Sequence, residues 1–128
     1  MVIILISTNC VDYNRENCHN SITIVNNSDN DIYYYPNSNY PDTSIVDPNP
    51  ANSGNEFRIE KYSYKNDTHN SCIEGKYLIV NKYIYFIYNA QTIDAMPWDT
   101  VKKKYLILKR YDLTLQDLQQ MNWTITYP

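Results

Sequence analysis

Glycine occurs only twice in the 128 residues, at Gly54 and Gly75. The two stand far apart, so neither common glycine-rich phosphate cradle can be written. Histidine is equally scarce, at His19 and His69. Both lie in polar stretches, and no Gly-x-Ser-x-Gly elbow is present, so a nucleophile–base–orienter triad has no support. Only four of the acids are Glu (Glu16, Glu56, Glu60 and Glu74). All four sit in polar surroundings, and no carboxylate pair for sugar hydrolysis can be nominated. No catalytic residue is therefore assigned. Apolar runs are short, and none reaches the length of a bilayer-crossing helix. Positive charge is the minority: 11 Lys and Arg face 14 Asp and Glu, a net charge of −3. Nucleic-acid binders are normally basic, so no nucleic-acid partner is expected.

What the chain has in plenty is Tyr, 14 times, and Asn, 17 times. Tyr suits a pleated, half-buried surface. Asn forms turns and tolerates the left-handed region, so it can do the turn work that glycine usually does. The length suits one domain.

Strand signals recur along the chain. Ser21-Ile-Thr-Ile-Val25 alternates, with Ile22 and Ile24 on one face. The turn cluster Asn26–Asp31 and the run Ile32–Tyr35 complete a predicted hairpin. The cluster carries oxygens at Asn26, Asp29 and Asp31, but it lacks the Gly and distal Glu of a calcium-binding loop. Pro36 to Asn55 reads as a long surface loop. Phe57 to Tyr64 alternates as a strand, and Lys65 to Ser71 reads as a polar loop. Lys76–Val80 and Tyr83–Tyr88 flank Asn81-Lys82 as a second hairpin. Tyr105–Leu108 is apolar on both faces, as in mid-sheet strands. Two short helices are expected. One begins at Pro97 and ends in lysines. In the other, Thr114 and Asp117 form a capping box, Leu113 and Leu118 a staple, and Leu115, Leu118 and Met121 the apolar stripe. Trp123–Tyr127 closes as a strand. The fold class is mainly β: a Greek-key β-sandwich-like single domain with two short helices in the C-terminal third. An open barrel is the alternative.

The opening Met1-Val-Ile-Ile-Leu-Ile-Ser-Thr-Asn-Cys10 is an apolar run, then polar residues, then a cysteine. It resembles the tail of a bacterial lipoprotein signal, which implies lipidation at Cys10. The alternative is a first core strand, residues 2–7. Residues 1–17 are accordingly read as signal remnant and tether, and residues 18–128 as the β-rich domain. Cys18 and Cys72 remain, 54 positions apart. In an exported protein they are expected to form a disulfide. The chain-entropy model gives that loop about 4 kcal/mol. Free thiols, or a zinc site shared with His19 and His69, are the alternatives. The adjacent Cys18 and His19 lack the usual gap between ligands, so no metal or other cofactor is assigned.

The one basic stretch is Lys102, Lys103, Lys104, Lys109 and Arg110. It reads as a solvated helix end followed by an exposed strand edge; a polyanion-binding patch is the alternative. Tyr33, Tyr35, Tyr62, Tyr64, Tyr83 and Tyr85 fill half-buried sheet positions, or else build a face that stacks on sugar rings. Tyr33, Tyr35, Tyr62 and Tyr64 are the candidates for stacking.

Ser21–Tyr33, Pro97–Val101, Leu108–Leu118 and Asn122–Pro128 resemble small uncharacterised lipoproteins of gut-dwelling Gram-negative anaerobic bacteria. The likeness spans roughly residues 18 to 128. Such proteins place a lipobox cysteine and a second cysteine ahead of the first strand, where Cys10 and Cys18 stand here. The resemblance implies an exported protein of the outer membrane or periplasm, anchored in the membrane by lipid. In that setting Asp99-Thr100-Val101 fits a three-residue O-glycosylation signal, with Thr100 as acceptor. The resemblance carries no activity. The expected role is non-enzymatic interaction or assembly, with an envelope protein or a glycan as partner. A carbohydrate-binding module using exposed Tyr and Trp is the alternative, and a small hydrolase is a remote one.

Overall fold

A computed structural model of the chain describes residues 18–50, 54–75 and 81–128. The first sheet centres on β1 (Ser21–Asn26). It pairs antiparallel with β4 (Tyr64–Thr68) and parallel with β7 (Thr124–Tyr127). The second sheet has the order β3-β2-β5-β6, from Arg58–Ile59, Ile32–Asn37, Tyr83–Asn89 and Lys109–Leu113, all antiparallel. Three helices follow β5: α1 (Ala90–Ala95), α2 (Trp98–Lys104) and, between β6 and β7, α3 (Leu115–Gln120). The molecule is mainly β and sandwich-like, as the strand pattern predicts.

Side-chain parity sorts the core into two layers. Ile22 and Ile24 of β1, Ile32 and Tyr34 of β2, Tyr83, Tyr85 and Ile87 of β5, and Ile125 of β7 share the cluster between the sheets. The alternate residues Tyr33, Ile84, Phe86 and Tyr88 point the other way. They pack with Ala90, Val101 and Ile45 beneath α1, α2 and the loop after β2. The second sheet is thus covered on both faces. This explains why Tyr83 to Tyr88 is buried at every position while Ser21 to Asn26 alternates.

The C-terminal helix forms as its sequence predicts. Asp117 N–H donates to Thr114 Oγ1 at 3.1 Å and Thr114 N–H returns a bond to Asp117 Oδ2 at 2.9 Å. Leu113 and Leu118 meet in the inter-sheet core, with Leu115 and Met121 packed at its margin. Pro36 sits within β2 at no cost to the ladder. Tyr34 N–H donates toward β3, to Phe57 O, and Pro36 faces that same side beyond the end of β3.

Five expectations are corrected. The segment Asn26–Asp31 is not a hairpin turn, because β1 and β2 lie in different sheets. It is an arch organised by Asn26, which is fully buried. Its amide donates to Asn30 O at 2.8 Å and to Ile59 O and Glu60 O at 3.2 Å, and its oxygen accepts from Ser28. The alternating run Phe57–Tyr64 breaks at Lys61-Tyr62, where Tyr62 takes φ 54°, and the chain changes sheet. The expected polar loop after it is the edge strand β4, on which Tyr64, Asn66 and Thr68 are exposed while Asp67 turns inward and accepts from Tyr85 Oη at 2.6 Å. Tyr105–Leu108 is not a mid-sheet strand. Tyr105 ends α2 in the left-handed region, Leu108 is exposed, and the strand begins at Lys109. Finally, α1 joins the two expected helices. Asn89 caps it, its side chain accepting Thr92 N–H. The expected partner strand Lys76–Val80 lies outside the described residues.

Candidate functional site

The arch, β3 and α1 converge on a cleft of about 550 Å³. Its wall is mainly polar: Asp29, Asn30 and Asp31 come from the arch, Arg58 and Lys61 from β3 and its turn, and Asn89, Gln91 and Asp94 from α1 and its cap, with Ala90 and Ala95 between them. Arg58 is its organising group. One guanidinium nitrogen donates to Asp94 Oδ2 at 2.7 Å and to Tyr33 Oη at 3.2 Å, and the other donates to Asp31 Oδ2 at 3.0 Å. The guanidinium carbon also lies 5.4 Å from the centre of the Tyr33 ring, within cation–π range.

Tyr33 Oη completes the network. It donates to Asp94 Oδ1 at 2.8 Å and accepts from the Asn49 amide at 3.2 Å. Burial, then the Asp94 carboxylate, push the phenol above its ordinary value. Asp31 is held below the ordinary aspartate value, chiefly by the Lys61 backbone N–H that donates to Oδ1 at 2.9 Å and next by Arg58. Hydrogen bonding to Asp94 raises the Arg58 guanidinium further still. The arrangement fixes Arg58 as a cation. It also engages both terminal nitrogens of the guanidinium with Asp31, Asp94 and Tyr33, which holds the side chain in place. The rim groups Asp29, Asn30, Lys61 and Gln91 are exposed and planar or charged, suited to hydrogen-bonding a polar ligand.

A second polar cluster sits at the disulfide. Cys18 and Cys72 are bonded, with Cα atoms 5.2 Å apart. Glu74 accepts His19 N–H at 2.8 Å and bonds His19 Nδ1 at 2.6 Å, and the His19 ring stacks on Trp123 with centroids 3.9 Å apart. The bond ties the entrance of β1 to the exit of β4, and the His19–Trp123 stack links both to the approach of β7. Cys18, Cys72 and Glu74 present donor atoms within 4.8 Å of one another. The two sulfurs are joined to each other, however, and His69 lies elsewhere, 3.2 Å from Asp67 and against the Tyr83 ring. The two histidines do not converge on one ion site.

The sequence-derived tyrosine face does not assemble. Tyr33 is buried in the outer core and Tyr35 packs half-buried on Phe57. Tyr83 and Tyr85 fill the inter-sheet core. Tyr62 and Tyr64 alone of the six are exposed, at 68% and 63%. The reading that places these rings in half-buried sheet positions describes Tyr33, Tyr35, Tyr83 and Tyr85, because β2 and β5 are covered by a helical layer that strand alternation does not reveal. Thr100 sits half-buried in the middle of α2. Cys10 lies outside the described residues. The lysine run forms the exposed last turn of α2, and Lys109 and Arg110 lie on edge strand β6, as the solvated reading predicts. The Arg58 network escaped sequence reading altogether. Its members lie 27 and 36 positions apart, and no local spacing announces them.

Among the described residues no helix is long and apolar enough to cross a membrane. A disulfide persists in oxidising compartments, so the Cys18–Cys72 bond points to a protein that leaves the cytoplasm. No family model, curated protein or solved structure matches the chain.

Proposed function

We propose that the protein is an exported bacterial envelope lipoprotein, tethered through Cys10 at the outer membrane or in the periplasm, that works by non-enzymatic interaction. The observation that carries this reading is the Cys18–Cys72 bond. It lies just beyond the candidate tether and closes the base of the folded domain, an arrangement that suits a domain held away from a membrane by a short leader. The polar cleft supports binding over chemistry. Its one arginine is held by two carboxylates and a phenol hydroxyl, which fits a rigid recognition surface better than a reactive one. The kinship with lipoproteins of gut-dwelling anaerobes belongs to the same proposal, as does a glycan on Thr100.

Intact-mass analysis of the native protein from the membrane fraction tests it. A chain beginning at a diacyl- or triacyl-modified Cys10 is expected. An unmodified mass spanning residues 1–128 would refute both the tether and the Thr100 glycan.

Carbohydrate binding is a second reading, favoured by one specific observation. Tyr62 is exposed, directly follows the cleft residue Lys61, and donates its N–H to Ser28 O of the arch. An exposed ring beside a wall of Asp, Asn, Gln and Arg is the combination that sugar rings and hydroxyls select. A glycan array with the wild-type chain and Tyr62→Ser decides: binding that vanishes in the variant is expected on this reading, and an empty array ends it.

A further inference from the structure

The end of α2 and the start of β6 form a surface unlike the rest of the molecule. Residues 102–110 hold five of the 11 basic residues and no acid. The remaining six basic residues face all 14 acids, so the rest of the chain carries a formal −8. Lys102, Lys103, Lys104 and Lys109 are exposed, and among the described residues none of the four has a carboxylate partner. Arg110 differs, being held by Asp112 at 2.6 and 2.8 Å. Between the lysines stand Tyr105 and Leu108, exposed at 47% and 44%.

Two ordinary explanations fall short. A helix C-terminus attracts about half an elementary charge of compensation, and three consecutive lysines exceed that. Lysine on an edge strand blocks unwanted strand pairing, which accounts for Lys109 but not for the exposed apolar pair. Tyr105 also holds φ 52° and ψ 53°, a conformation that favours glycine and is costly for a side chain with Cβ. Its hydroxyl reaches Arg110, but the half-exposed ring packs in neither core cluster.

We infer that this surface, Lys102–Tyr105 with Leu108 and Lys109, docks on an anionic lipid bilayer. The chemistry matches in both parts. Four ammonium groups without a carboxylate partner, one of them (Lys109) over the Tyr111 ring, can reach phosphate headgroups while their long apolar stems lie along the acyl boundary. Tyr105 and Leu108 enter that boundary between them. The acidic remainder disfavours a flexible polyanion that would wrap the molecule, whereas a planar anionic surface meets only the basic face. This goes beyond the tether proposed at Cys10, because it needs no lipid on the chain. With a tether in place, it would set which face of the domain lies against the membrane.

The unlipidated full-length chain is mixed with phosphatidylcholine vesicles with and without phosphatidylglycerol, and bound protein is measured by co-sedimentation. Binding only to the anionic vesicles, weakening as salt shortens the screening length, is expected. Each lysine near such a surface contributes about fivefold, so K102Q/K103Q/K104Q/K109Q should lose binding by more than about a hundredfold. Tyr105→Gly with Leu108→Ser should weaken it by about fivefold or more through lost apolar insertion. Glycine suits the left-handed position, so this variant tests the ring without straining the fold. Thermal melts should show both variants folded, with stability changed by no more than about 1 kcal/mol, since every substituted side chain lies at the surface. Failure to bind anionic vesicles, or binding untouched by the four Gln substitutions, overturns the inference. So does tight capture by soluble polyphosphate with no response of vesicle binding to the Tyr105/Leu108 variant, which would make the patch a polyanion site. Because no lipid is attached in this experiment, its failure and the failure of the Cys10 proposal are read separately.

Discussion

β1 and β5 are both interior strands of their sheets, yet β1 buries one face and β5 buries two. The difference comes from what lies outside each sheet. Beyond β1 is water. Beyond β5 are α1, α2 and the loop carrying Ile45, which seal Ile84, Phe86 and Tyr88 into a second core. A strand covered once must alternate, and its alternation can be read; a strand covered twice has no period to read. The largest effect should therefore come from breaking the doubly covered strand on its outer side. Phe86→Ala is expected to cost about 3–5 kcal/mol in chemical denaturation. Should it cost no more than Ile24→Val, about 0.5–1.5 kcal/mol, the helical layer would be a loose cover and not a core.

The same contrast explains what was legible. β1, β7 and the Thr114–Asp117 cap were readable because their signals are local: a period of two, or a polar group three residues from its partner. The arch after β1 was misread because turn-forming residues mark a change of direction without saying which sheet receives the chain. The bonds from Asn26 to Ile59 and Glu60 make that choice, and they span more than 30 positions. Tyr105–Leu108 was misread for the opposite reason. Its apolar run is split: Leu106 and Ile107 pack against the outer core from a turn, while Tyr105 and Leu108 are exposed. The Arg58 network was illegible for want of any local spacing, since it depends on α1, a short helix whose only announcement is Asn89 before Ala90. Asn does take left-handed positions at Asn81 and Asn122, in line with the glycine shortage, but Tyr62, Tyr105 and Trp123 take them too.

The singly covered sheet has a covalent tie that the other lacks among the described residues. Replacing Cys18 and Cys72 together by Ser should lower stability by about 2–4 kcal/mol. Hydrogen exchange would sharpen the comparison: β1 and β4 should lose protection before β5 does. Equal loss in all three strands would mean that the bond stabilises the whole domain through the unfolded chain and not one sheet in particular.

Asn26 joins the two regions, so its loss should cost less than either. Asn26→Ala removes donors from Asn30 O, Ile59 O and Glu60 O inside a buried arch, and about 1–3 kcal/mol is expected. Asn26→Asp should do no better, because a carboxylate cannot donate to those carbonyls. If Asp substitutes freely, the arch is held by its backbone and not by this amide.

Acid should loosen the cleft side by a smaller amount. Asp31 sits below the ordinary 3.8, so the folded state favours its ionised form. The stability this gives is complete above the unfolded value and disappears as pH falls through the lower folded value. The melting temperature should therefore drop below about pH 4. Asp42, Asp112 and Asp117 are depressed as well and add to the slope. Arg58→Met should flatten the Asp31 share only partly, since the Lys61 N–H is the larger cause and remains. A slope unchanged in that variant would show that the guanidinium contributes nothing to the acid response.

The smallest expected effect has the opposite sign. Tyr62 is 68% exposed and holds φ 54° at the point where the chain leaves β3 for β4. Its ring does little packing, and its left-handed backbone costs roughly 1–2 kcal/mol relative to glycine. Glycine would recover that cost while losing about 0.5–1 kcal/mol to the greater freedom of its unfolded chain. Tyr62→Gly should thus raise stability slightly, by less than about 1 kcal/mol, with the bond from its N–H to Ser28 O retained. Measured beside the glycan array, the variant separates two roles for one residue. A gain in stability with a loss of ligand would mean that the ring is kept for recognition against the interest of the fold. A loss of stability would mean that Tyr62 packs on the arch and belongs to the architecture of the singly covered sheet.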